Sequence, residues 1–277
     1  QALQTIQRAG NPWGLPAGAR LAWAQGLDVP LMEPGREVEY LYWVGCSASY
    51  DRRNQSIARA MVKILKAAGV SFGVMQEERC HAEVGRRLGE EYLYQTVTQE
   101  NVEAIKPYRF RKVITHCPHC FNTIKNEYPQ FGGTYEVLHH SQVIQALIEE
   151  GRIKPTKPLD ASVAFHDSCY LGRYNGIFDA PRNVAKAVPG LRVIELPRNR
   201  ERGLCCGGGG GHMWMEVKAE KRVNLIRVEE ALDAKVNMVA TGCPFCLAMI
   251  DLGRKVKGAE ETLAVKDVSE LVAESVP

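Results

Sequence analysis

The nine cysteines of this 277-residue chain follow one internal repeat, and this repeat constrains the fold more than any other feature of the sequence. When the sequence is laid against itself, the cysteines of the first half match those of the second at an offset of 123 to 126 residues. An apolar, β-like run precedes the first cysteine of each copy, and another precedes each close pair of cysteines. We therefore predict two copies of one module. The matched cysteines are Cys46 with Cys169, Cys80 with Cys205 or Cys206, Cys117 with Cys243, and Cys120 with Cys246.

Each copy alternates short β-branched or aromatic runs with stretches of helical periodicity. This alternation predicts an α/β fold of two pseudo-repeated modules with mostly parallel sheets, in which the cysteines lie on loops between strands and helices. The expected strands are 38–44, 70–74, 113–115 and 136–138 in the first copy, and 162–165, 236–241 and 263–265 in the second. The expected helices are 57–65, 84–105, 118–128 and 141–150, then 214–234, a helix from Pro244, and 267–274.

The repeat also sets the expected domain boundaries. The first module should cover residues 37–150 and the second residues 160–277, because the segment 151–159 has two prolines and little apolar content, as a linker does. Residues 1–36 match neither copy, and we expect them to form an irregular N-terminal arm.

Composition excludes several classes of protein. Hydrophobic residues make up 45% of the chain and charged residues 24%, which is typical of a globular protein. The net charge is +3 and the basic residues are dispersed among acidic ones, so a nucleic-acid partner is not expected. No apolar run reaches the ~18 residues that a membrane-spanning helix needs.

The second copy offers five thiols from three loops, whereas a cubane 4Fe-4S cluster uses four. An iron-sulfur cluster needs several thiolates around one polymetallic core, and residues that follow parallel strands point into a shared crevice. Adjacent cysteines point in different directions, so Cys205 and Cys206 favour an extended, noncubane core. The glycines 207–211 would let backbone N–H groups approach inorganic sulfide, and they do not match a dinucleotide-binding fingerprint. The expected ligands are Cys169, Cys205, Cys206, Cys243 and Cys246.

The first copy carries four cysteines and has His81 where the second of the two adjacent cysteines would stand. Four thiolates from Cys46, Cys80, Cys117 and Cys120 suit an ordinary cubane 4Fe-4S cluster. Alternatively, His81 replaces one thiolate and raises the reduction potential of the cluster, as imidazoles do in Rieske centres. The first module is therefore expected to hold either a cubane cluster or an altered one.

Two other chemistries fit part of the pattern. Tetrahedral zinc accounts for the four cysteines of the first copy and would make the chain a zinc-stabilised interaction module, but it leaves a fifth thiol over in the second copy. A catalytic thiol in either Cys-x-x-Cys pair, as in thioredoxin-like proteins, does not explain the upstream cysteines. The histidines beside the cysteines are expected to donate hydrogen bonds or to pack rather than to bind iron: His116, His119, His166 and His212.

The arrangement of Cys169, Cys205-Cys206-Gly207 and Cys243-Pro-Phe-Cys246 resembles the cysteine-rich CCG domain. This domain occurs, usually in tandem, in catalytic subunits of heterodisulfide reductases and in iron-sulfur subunits for glycolate and lactate oxidation. The resemblance covers about residues 38–277. Further motifs resemble one subgroup, the membrane-bound iron-sulfur oxidoreductases associated with electron-transfer flavoprotein. These motifs are Asn11-Pro-Trp-Gly14, Tyr42-Trp-Val-Gly-Cys46, Cys117-Pro-His-Cys-Phe-Asn-Thr123, Asn126-Glu-Tyr-Pro129 and Met213-Trp214.

The resemblance implies an oxidoreductase component that passes electrons between electron-transfer flavoprotein, or another flavoprotein, and a quinone. Such proteins carry a membrane anchor and a ferredoxin-like domain ahead of this region. The chain, which begins at Gln1, is therefore expected to be the C-terminal part of a longer protein at the cytoplasmic face of a membrane. The alternative is a heterodisulfide reductase-like catalytic subunit that reduces a thiol or disulfide substrate at a noncubane cluster. Heterodisulfide reductases use two five-cysteine clusters, and the departure at His81 favours the electron relay.

Overall fold

The computed structural model describes residues 1–215 and 222–277, which form two units, Gln1–His139 and His140–Pro277. The first unit is built around a parallel four-stranded sheet, whose strands lie in the order β2-β1-β3-β4. All three pairings are parallel, as the alternation of strands and helices predicts. The strands are β1 Glu37–Trp43, β2 Phe72–Gly73, β3 Arg109–Thr115 and β4 Val137–His139.

The helices of the first unit follow the strands in the alternating order that the sequence predicts. Helix α6 begins at Pro118, directly after Cys117, because proline fits the first turn of a helix, where no backbone N–H is needed. A π-helical turn at Thr123–Glu127 and a 3-10 turn at Tyr128–Phe131 continue it. The helices are α1 Ala2–Ala9, α2 Gly45–Tyr50, α3 Gln55–Ala67, α4 Glu83–Arg87, α5 Glu91–Ile105 and α6 Pro118–Asn122.

The prediction of one helix over residues 84–105 is wrong. Helix α4 ends at Arg87, and α5 begins at Glu91 after a turn. In that turn Gly89 has a φ of 85°, its N–H donates to the carbonyl of Arg86, and the N–H of Glu90 donates to the carbonyl of Gly85. These two bonds form a Schellman motif, which ends a helix at a glycine in the left-handed conformation.

The N-terminal residues are more regular than the sequence indicates, because α1 lies within the expected irregular arm. Two 3-10 turns, Ala17–Ala19 and Ala22–Ala24, follow it. The amide of Asn11 holds the intervening turn by donating to the carbonyls of Ala9 at 3.0 Å and Leu15 at 2.8 Å. Several side chains of this segment are buried in the first unit: Ile6, Asn11, Arg20 and Trp23.

The second unit repeats the strand order of the first, with its strands in the order β6-β5-β7-β8, all parallel. The duplicated α/β fold predicted from the cysteine repeat is therefore confirmed. Strand β6 is not among the strands that the sequence predicts. The strands are β5 Ala161–His166, β6 Leu191–Ile194, β7 Met238–Thr241 and β8 Ala264–Asp267.

The helices of the second unit depart from the prediction at 214–234. The described part of that range has a 3-10 turn at His212–Trp214 and a helix from Val223, and residues 216–221 lie outside the part that the structure describes. A short 3-10 turn also occurs at Arg200–Arg202. The helices are α7 His140–Glu149, α8 Asp179–Lys186, α9 Val223–Asp233, α10 Pro244–Val256 and α11 Val268–Ser275.

Helix α7 packs in the second unit, although it closes the first copy of the sequence repeat. It contacts α8 and α11, and it buries Val143, Ile144 and Leu147. At its first residue, Nε2 of His140 lies 2.7 Å from Oδ1 of Asp267, and both side chains are fully buried. No helix in the described ranges is long and apolar enough to cross a membrane.

Candidate metal centres

In both units the cysteine loops follow the carboxyl ends of adjacent parallel strands. Cys46 and Cys117 follow the neighbouring strands β1 and β3, and Cys169 and Cys243 follow the neighbouring strands β5 and β7. In each unit the first of these strands is followed by the strand at one edge of the sheet and the second by the strand at the other edge, so a crevice opens between them, where the strand order reverses. Parallel α/β sheets bind ligands in this crevice.

In the first unit the four predicted thiols lie together and are at most 7% exposed. The thiols of Cys46 and Cys80 are hydrogen-bonded to each other, as are those of Cys117 and Cys120. Burial raises the pKa of Cys120 well above its ordinary value, and the hydrogen bond with Cys117 and the nearby sulfur of Cys46 raise it further. The two bonded pairs therefore form one buried group of sulfurs.

Gly45 lets the first loop approach this group closely. Its φ is 74°, and a Cβ at this position would lie 3.1 Å from Sγ of Cys120. Its N–H donates to Oε1 of Glu78 at 2.7 Å, and the N–H of Val44 donates to the other carboxylate oxygen at 2.9 Å. Any side chain here would strain the backbone and crowd the sulfur.

Arg20 reaches the first group of thiols from the N-terminal segment, and no sequence pattern points to it. Its Nη2 donates to Sγ of Cys46 at 3.4 Å, and its Nη1 forms a buried ion pair with Glu78 at 2.9 Å. Although burial opposes the charge, the Cys46 thiolate and Glu78 raise the pKa of Arg20 above its ordinary value. No counterpart in the second copy could have drawn attention to this residue.

Arg20 also favours the thiolate of Cys46. Burial alone would raise the pKa of Cys46, but the hydrogen bond from the Cys80 thiol and the charge of Arg20 lower it below its ordinary value. The pKa of Cys80 rises well above normal, first because its thiol donates to Cys46. Arg20 and Cys80 therefore both favour the thiolate form of Cys46.

The two units share a turn around the next cysteine. The N–H of Ala82 donates to Sγ of Cys80 at 3.4 Å, and the N–H of Gly207 donates to Sγ of Cys205 at 3.2 Å. Ala82 and Gly207 both have positive φ, 55° and 83°. Cys80 therefore corresponds to Cys205, and the residue between, His81, stands where Cys206 stands in the second unit.

The ring of His81 is buried and already has a partner on one nitrogen. Its Nδ1 accepts the backbone N–H of Glu83 at 3.2 Å. Burial lowers the pKa of His81 to about 4. A neutral ring that accepts at Nδ1 carries its proton on Nε2, so in this arrangement Nε2 is a hydrogen-bond donor and not a free electron pair for a metal.

In the second unit all five predicted thiols lie next to one another, each close to at least one other thiol. Cys206, Cys243 and Cys246 are buried and pack against each other, whereas Cys169 and Cys205 are partly exposed. Hydrogen bonds from the thiols of Cys169 and Cys206 lower the pKa of Cys205 to about 2. The hydrogen bond to Cys205 is also the first cause of the raised pKa values of Cys169 and Cys206. The group therefore favours a thiolate at Cys205.

His166 lies against the same sulfurs. The donor atoms of His166, Cys206 and Cys246 are all within 4.8 Å of one another. Nε of Arg227 donates to Nδ1 of His166 at 3.0 Å. Burial, followed by the charge of Arg227, lowers the pKa of His166 to about 3, so the ring is neutral near pH 7.

A buried ion pair supports the loops around Cys169. The guanidinium of Arg182 makes a bidentate contact with Asp167, with N–O distances of 2.6 and 2.9 Å, and Asp167 lies two residues before Cys169. Asp167 also accepts the N–H of Arg200 at 2.7 Å, and Arg182 binds Glu195 at 2.6 Å. These contacts link the end of β5 to the segment that leads to Cys205.

The other three predicted histidines have local partners. Nδ1 of His116 lies 2.8 Å from the hydroxyl of Tyr42, and Nδ1 of His212 lies 2.9 Å from the carbonyl of Gly209. Nδ1 of His119 lies 3.4 Å from a carboxylate oxygen of Glu83. These contacts hold loop residues beside the cysteines.

The donor set fits a polymetallic cluster better than a single zinc ion. Zinc in a tetrahedron of thiolates, with Zn–S bonds of ~2.3 Å, brings all four sulfurs within about 4 Å of each other. Across residues 1–215 and 222–277, only the group of His166, Cys206 and Cys246 brings three donors within 4.8 Å. The thiols of the first unit are thus neighbours without forming a closed zinc tetrad, and five thiols in the second unit exceed what zinc takes.

Comparison with known proteins identifies the class to which this fold and these thiols belong. The cysteine-rich domain family, CCG, matches residues 40–125 and 163–251, and the chain belongs to this family. Over its full length the chain is 43% identical to a protein of Bacillus subtilis named probable iron-sulfur-binding oxidoreductase FadF. It is 44% identical, over 98% of its length, to the EtfAB:quinone oxidoreductase of Syntrophomonas wolfei.

A third relative belongs to a different kind of complex. One subunit of the dihydromethanophenazine:CoB–CoM heterodisulfide reductase of Methanosarcina barkeri is 31% identical over 96% of the chain. The match spans 65% of that polypeptide but only 40% of each of the two bacterial proteins. All three relatives are named as oxidoreductases or as parts of one.

Proposed function

We propose that the chain holds one iron-sulfur cluster in each unit and relays electrons through them within a larger oxidoreductase. The observation that carries this proposal is the convergence of nine free thiols into two groups, each at the strand-order reversal of a parallel sheet. Backbone N–H groups and Arg20 already donate to sulfurs in these groups. The similarity to iron-sulfur oxidoreductases supports the same conclusion.

The two sites are proposed to differ. Cys46, Cys80, Cys117 and Cys120 would hold a cubane 4Fe-4S cluster, with His81 outside the ligand set because its Nδ1 accepts a backbone N–H. Cys169, Cys205, Cys206, Cys243 and Cys246 would hold a noncubane cluster, since the shared turn places Cys206 where the first unit has His81. When bound, the clusters supply one-electron redox chemistry. The residues of the chain bury seven of the nine cysteines, direct N–H donors at sulfurs in both groups and fix the positions of the loops.

The proposed partners are a flavoprotein donor and a membrane-side acceptor. The similarity to an EtfAB:quinone oxidoreductase supports electron-transfer flavoprotein as the donor and a quinone as the final acceptor. A ferredoxin-like domain and a membrane anchor, in the same polypeptide or in another subunit, would connect the chain to that quinone. The chain would then work at the cytoplasmic face of a membrane.

A second candidate function is reduction of a thiol or disulfide substrate at the second unit. The partial exposure of Cys169 and Cys205 favours it, because a substrate sulfur could reach this group. The heterodisulfide reductase relative supports the same chemistry.

Two matched variants test the proposal on the anaerobically purified protein. Cys206→Ser should alter the EPR signal of the second cluster and leave the first unchanged, and Cys120→Ser should do the reverse. Iron and acid-labile sulfide should be present in the unsubstituted chain, and Mössbauer spectra should separate a cubane from a noncubane core. Reduction by electron-transfer flavoprotein would support the relay, whereas reduction coupled to disulfide cleavage would support the second candidate. A colourless protein that contains zinc would overturn both.

A further inference from the structure

The imidazole of His166 has a nitrogen that the fold leaves unused. His166 ends strand β5 and is 1% exposed. Its Nε2 has no hydrogen-bond partner among the residues that the structure describes. A buried polar atom without a partner destabilises the fold, so such an atom in a native site calls for a ligand or a function.

The imidazole of His166 lies beside the sulfurs of the second unit. Nε2 or Nδ1 of His166 lies within 4.8 Å of Sγ of both Cys206 and Cys246, and Nδ1 is already occupied by Arg227. Nε2 is therefore the ring atom available to these two thiols. Both thiols are at most 4% exposed, so water does not compete freely for the contact.

Arg227 determines which nitrogen carries the proton. A guanidinium N–H can only donate, so Nδ1 of His166 must accept, and a neutral ring then has its proton on Nε2. The guanidinium is itself fixed: it donates to the carbonyl of Arg198 at 2.9 Å and pairs with Glu230 at 2.8 Å. Since the side chain of Arg227 is 1% exposed, it cannot move away into solvent without breaking these contacts.

We propose that His166 is a hydrogen-bond donor to the cluster of the second unit, with Nε2–H directed at the sulfurs around Cys206 and Cys246 and its tautomer fixed by Arg227. This inference rests on the proposed function, because it requires a cluster at these cysteines. His166 is a positioning and tuning residue in this assignment and not a ligand. Ligation through Nε2 would require the proton to move to Nδ1, where Arg227 already donates.

The hydrogen bond from His166 should raise the reduction potential of the second cluster. A hydrogen bond to a cluster sulfur stabilises the more negative, reduced state, so it raises the reduction potential. Removing the Nε2–H donor should therefore lower the potential of the second cluster. The cluster of the first unit should keep its potential.

Two substitutions distinguish the effect of losing the hydrogen-bond donor from the effect of losing the imidazole ring. His166→Gln keeps an amide that can accept from Arg227 and donate toward the sulfurs, whereas His166→Leu removes both functions. We expect a redox titration followed by EPR to show a lower potential for the second cluster in His166→Leu and a value closer to that of the unsubstituted protein in His166→Gln. An unchanged potential in His166→Leu would overturn the assignment.

A measurement on the unsubstituted protein keeps the test independent of folding defects. With ¹⁵N-histidine labelling, ENDOR or HYSCORE spectra of the second cluster should show a weak histidine nitrogen coupling and a proton coupling that disappears in D₂O. A strong nitrogen coupling, as expected of a direct iron ligand, would overturn the donor role, and so would the absence of any histidine coupling. Absence of iron and sulfide would instead overturn the proposed function itself.

Discussion

Two buried arginines hold carboxylates next to the cysteine loops, one in each unit. Arg20 pairs with Glu78 beside Cys46, and Arg182 pairs with Asp167 two residues before Cys169. The side chains of both pairs are at most 5% exposed. A buried charge that loses its partner is strongly destabilising, because neither water nor another ion replaces the lost contact.

We expect Arg182→Met to lower the free energy of unfolding of the second unit by about 3–5 kcal/mol, since it leaves Asp167 buried and uncompensated. Urea unfolding followed by circular dichroism measures this change. Arg192→Met is the matched control, because Arg192 lies exposed on strand β6 and its loss should change stability by no more than about 0.5 kcal/mol. Equal effects of the two substitutions would contradict the role given to the buried pair.

The residues that carry the site were predictable to different degrees. Eight of the nine cysteines could be found from the sequence because their positions are repeated in the two copies, and the ninth, Cys206, directly follows one of them. Arg20 and Arg227 could not be found, because one lies in a segment without a counterpart and the other inside an ordinary helical pattern. Their roles depend on contacts with Cys46 and His166 that only the folded chain creates.

At the scale of elements, α11 shows how a buried cap joins two helices. The carboxylate of Asp267 accepts the N–H of Ser269 at 2.9 Å, and Glu270 binds the N–H of Asp267 at 2.8 Å, which completes a capping box. The same carboxylate contacts Nε2 of His140 at the start of α7. One side chain thus satisfies an N–H group at the start of α11 and fixes the position of α7.

This cap should make stability depend on pH. Although burial disfavours its charge, His140 holds the pKa of Asp267 below its ordinary value. A depressed carboxyl pKa contributes stability above the unfolded-state pKa of about 3.9, and this contribution is lost as the pH falls through the lower folded pKa.

We therefore expect Asp267→Ala to lower the free energy of unfolding by at least about 1–2 kcal/mol near pH 7, because the substitution removes both the cap and the charge. The difference from the unsubstituted protein should stay constant down to about pH 5 and shrink below about pH 4. Chemical unfolding at several pH values measures it. A difference that grows on acidification would show that the carboxylate does not stabilise the fold.

Strand β6 and helix α8 were not predicted from the sequence, because neither shows a clear pattern of buried apolar residues. Strand β6 is a short run, Leu191-Arg-Val-Ile194, with no buried residue, so its side chains do not alternate clearly. Helix α8 buries Arg182 and Pro181, which breaks the apolar periodicity on which helix prediction depends. The strands that lead to cysteines were predictable because their apolar runs are long or are repeated in both copies.

At the scale of the whole molecule, the two groups of thiols differ in access to solvent. All four thiols of the first unit are buried, whereas Cys169 and Cys205 in the second are partly exposed. A chelator or oxidant must reach the sulfurs or the metal that they hold, so exposure should govern the rate at which each cluster is lost.

We expect anaerobic treatment of the loaded protein with a chelator and ferricyanide to remove the second cluster several-fold faster than the first. The decay of the two EPR signals with time measures the two rates. In the Cys206→Ser variant the signal of the first cluster should decay at the same slow rate as in the unsubstituted protein. Loss of both signals at one rate, or earlier loss of the first, would contradict the difference in access.

The packing of helix α7 determines where this chain could be divided into two parts that both keep their buried side chains covered. A break after His139 leaves the helix with the half that it packs against. A break in the segment 151–159, where the sequence repeat ends its first copy, would detach the buried side chains Val143, Ile144 and Leu147 from α8 and α11. Both halves would then expose apolar surface and aggregate. The second unit therefore depends on ten residues, His140–Glu149, that lie before the predicted linker and belong by sequence to the first copy of the repeat.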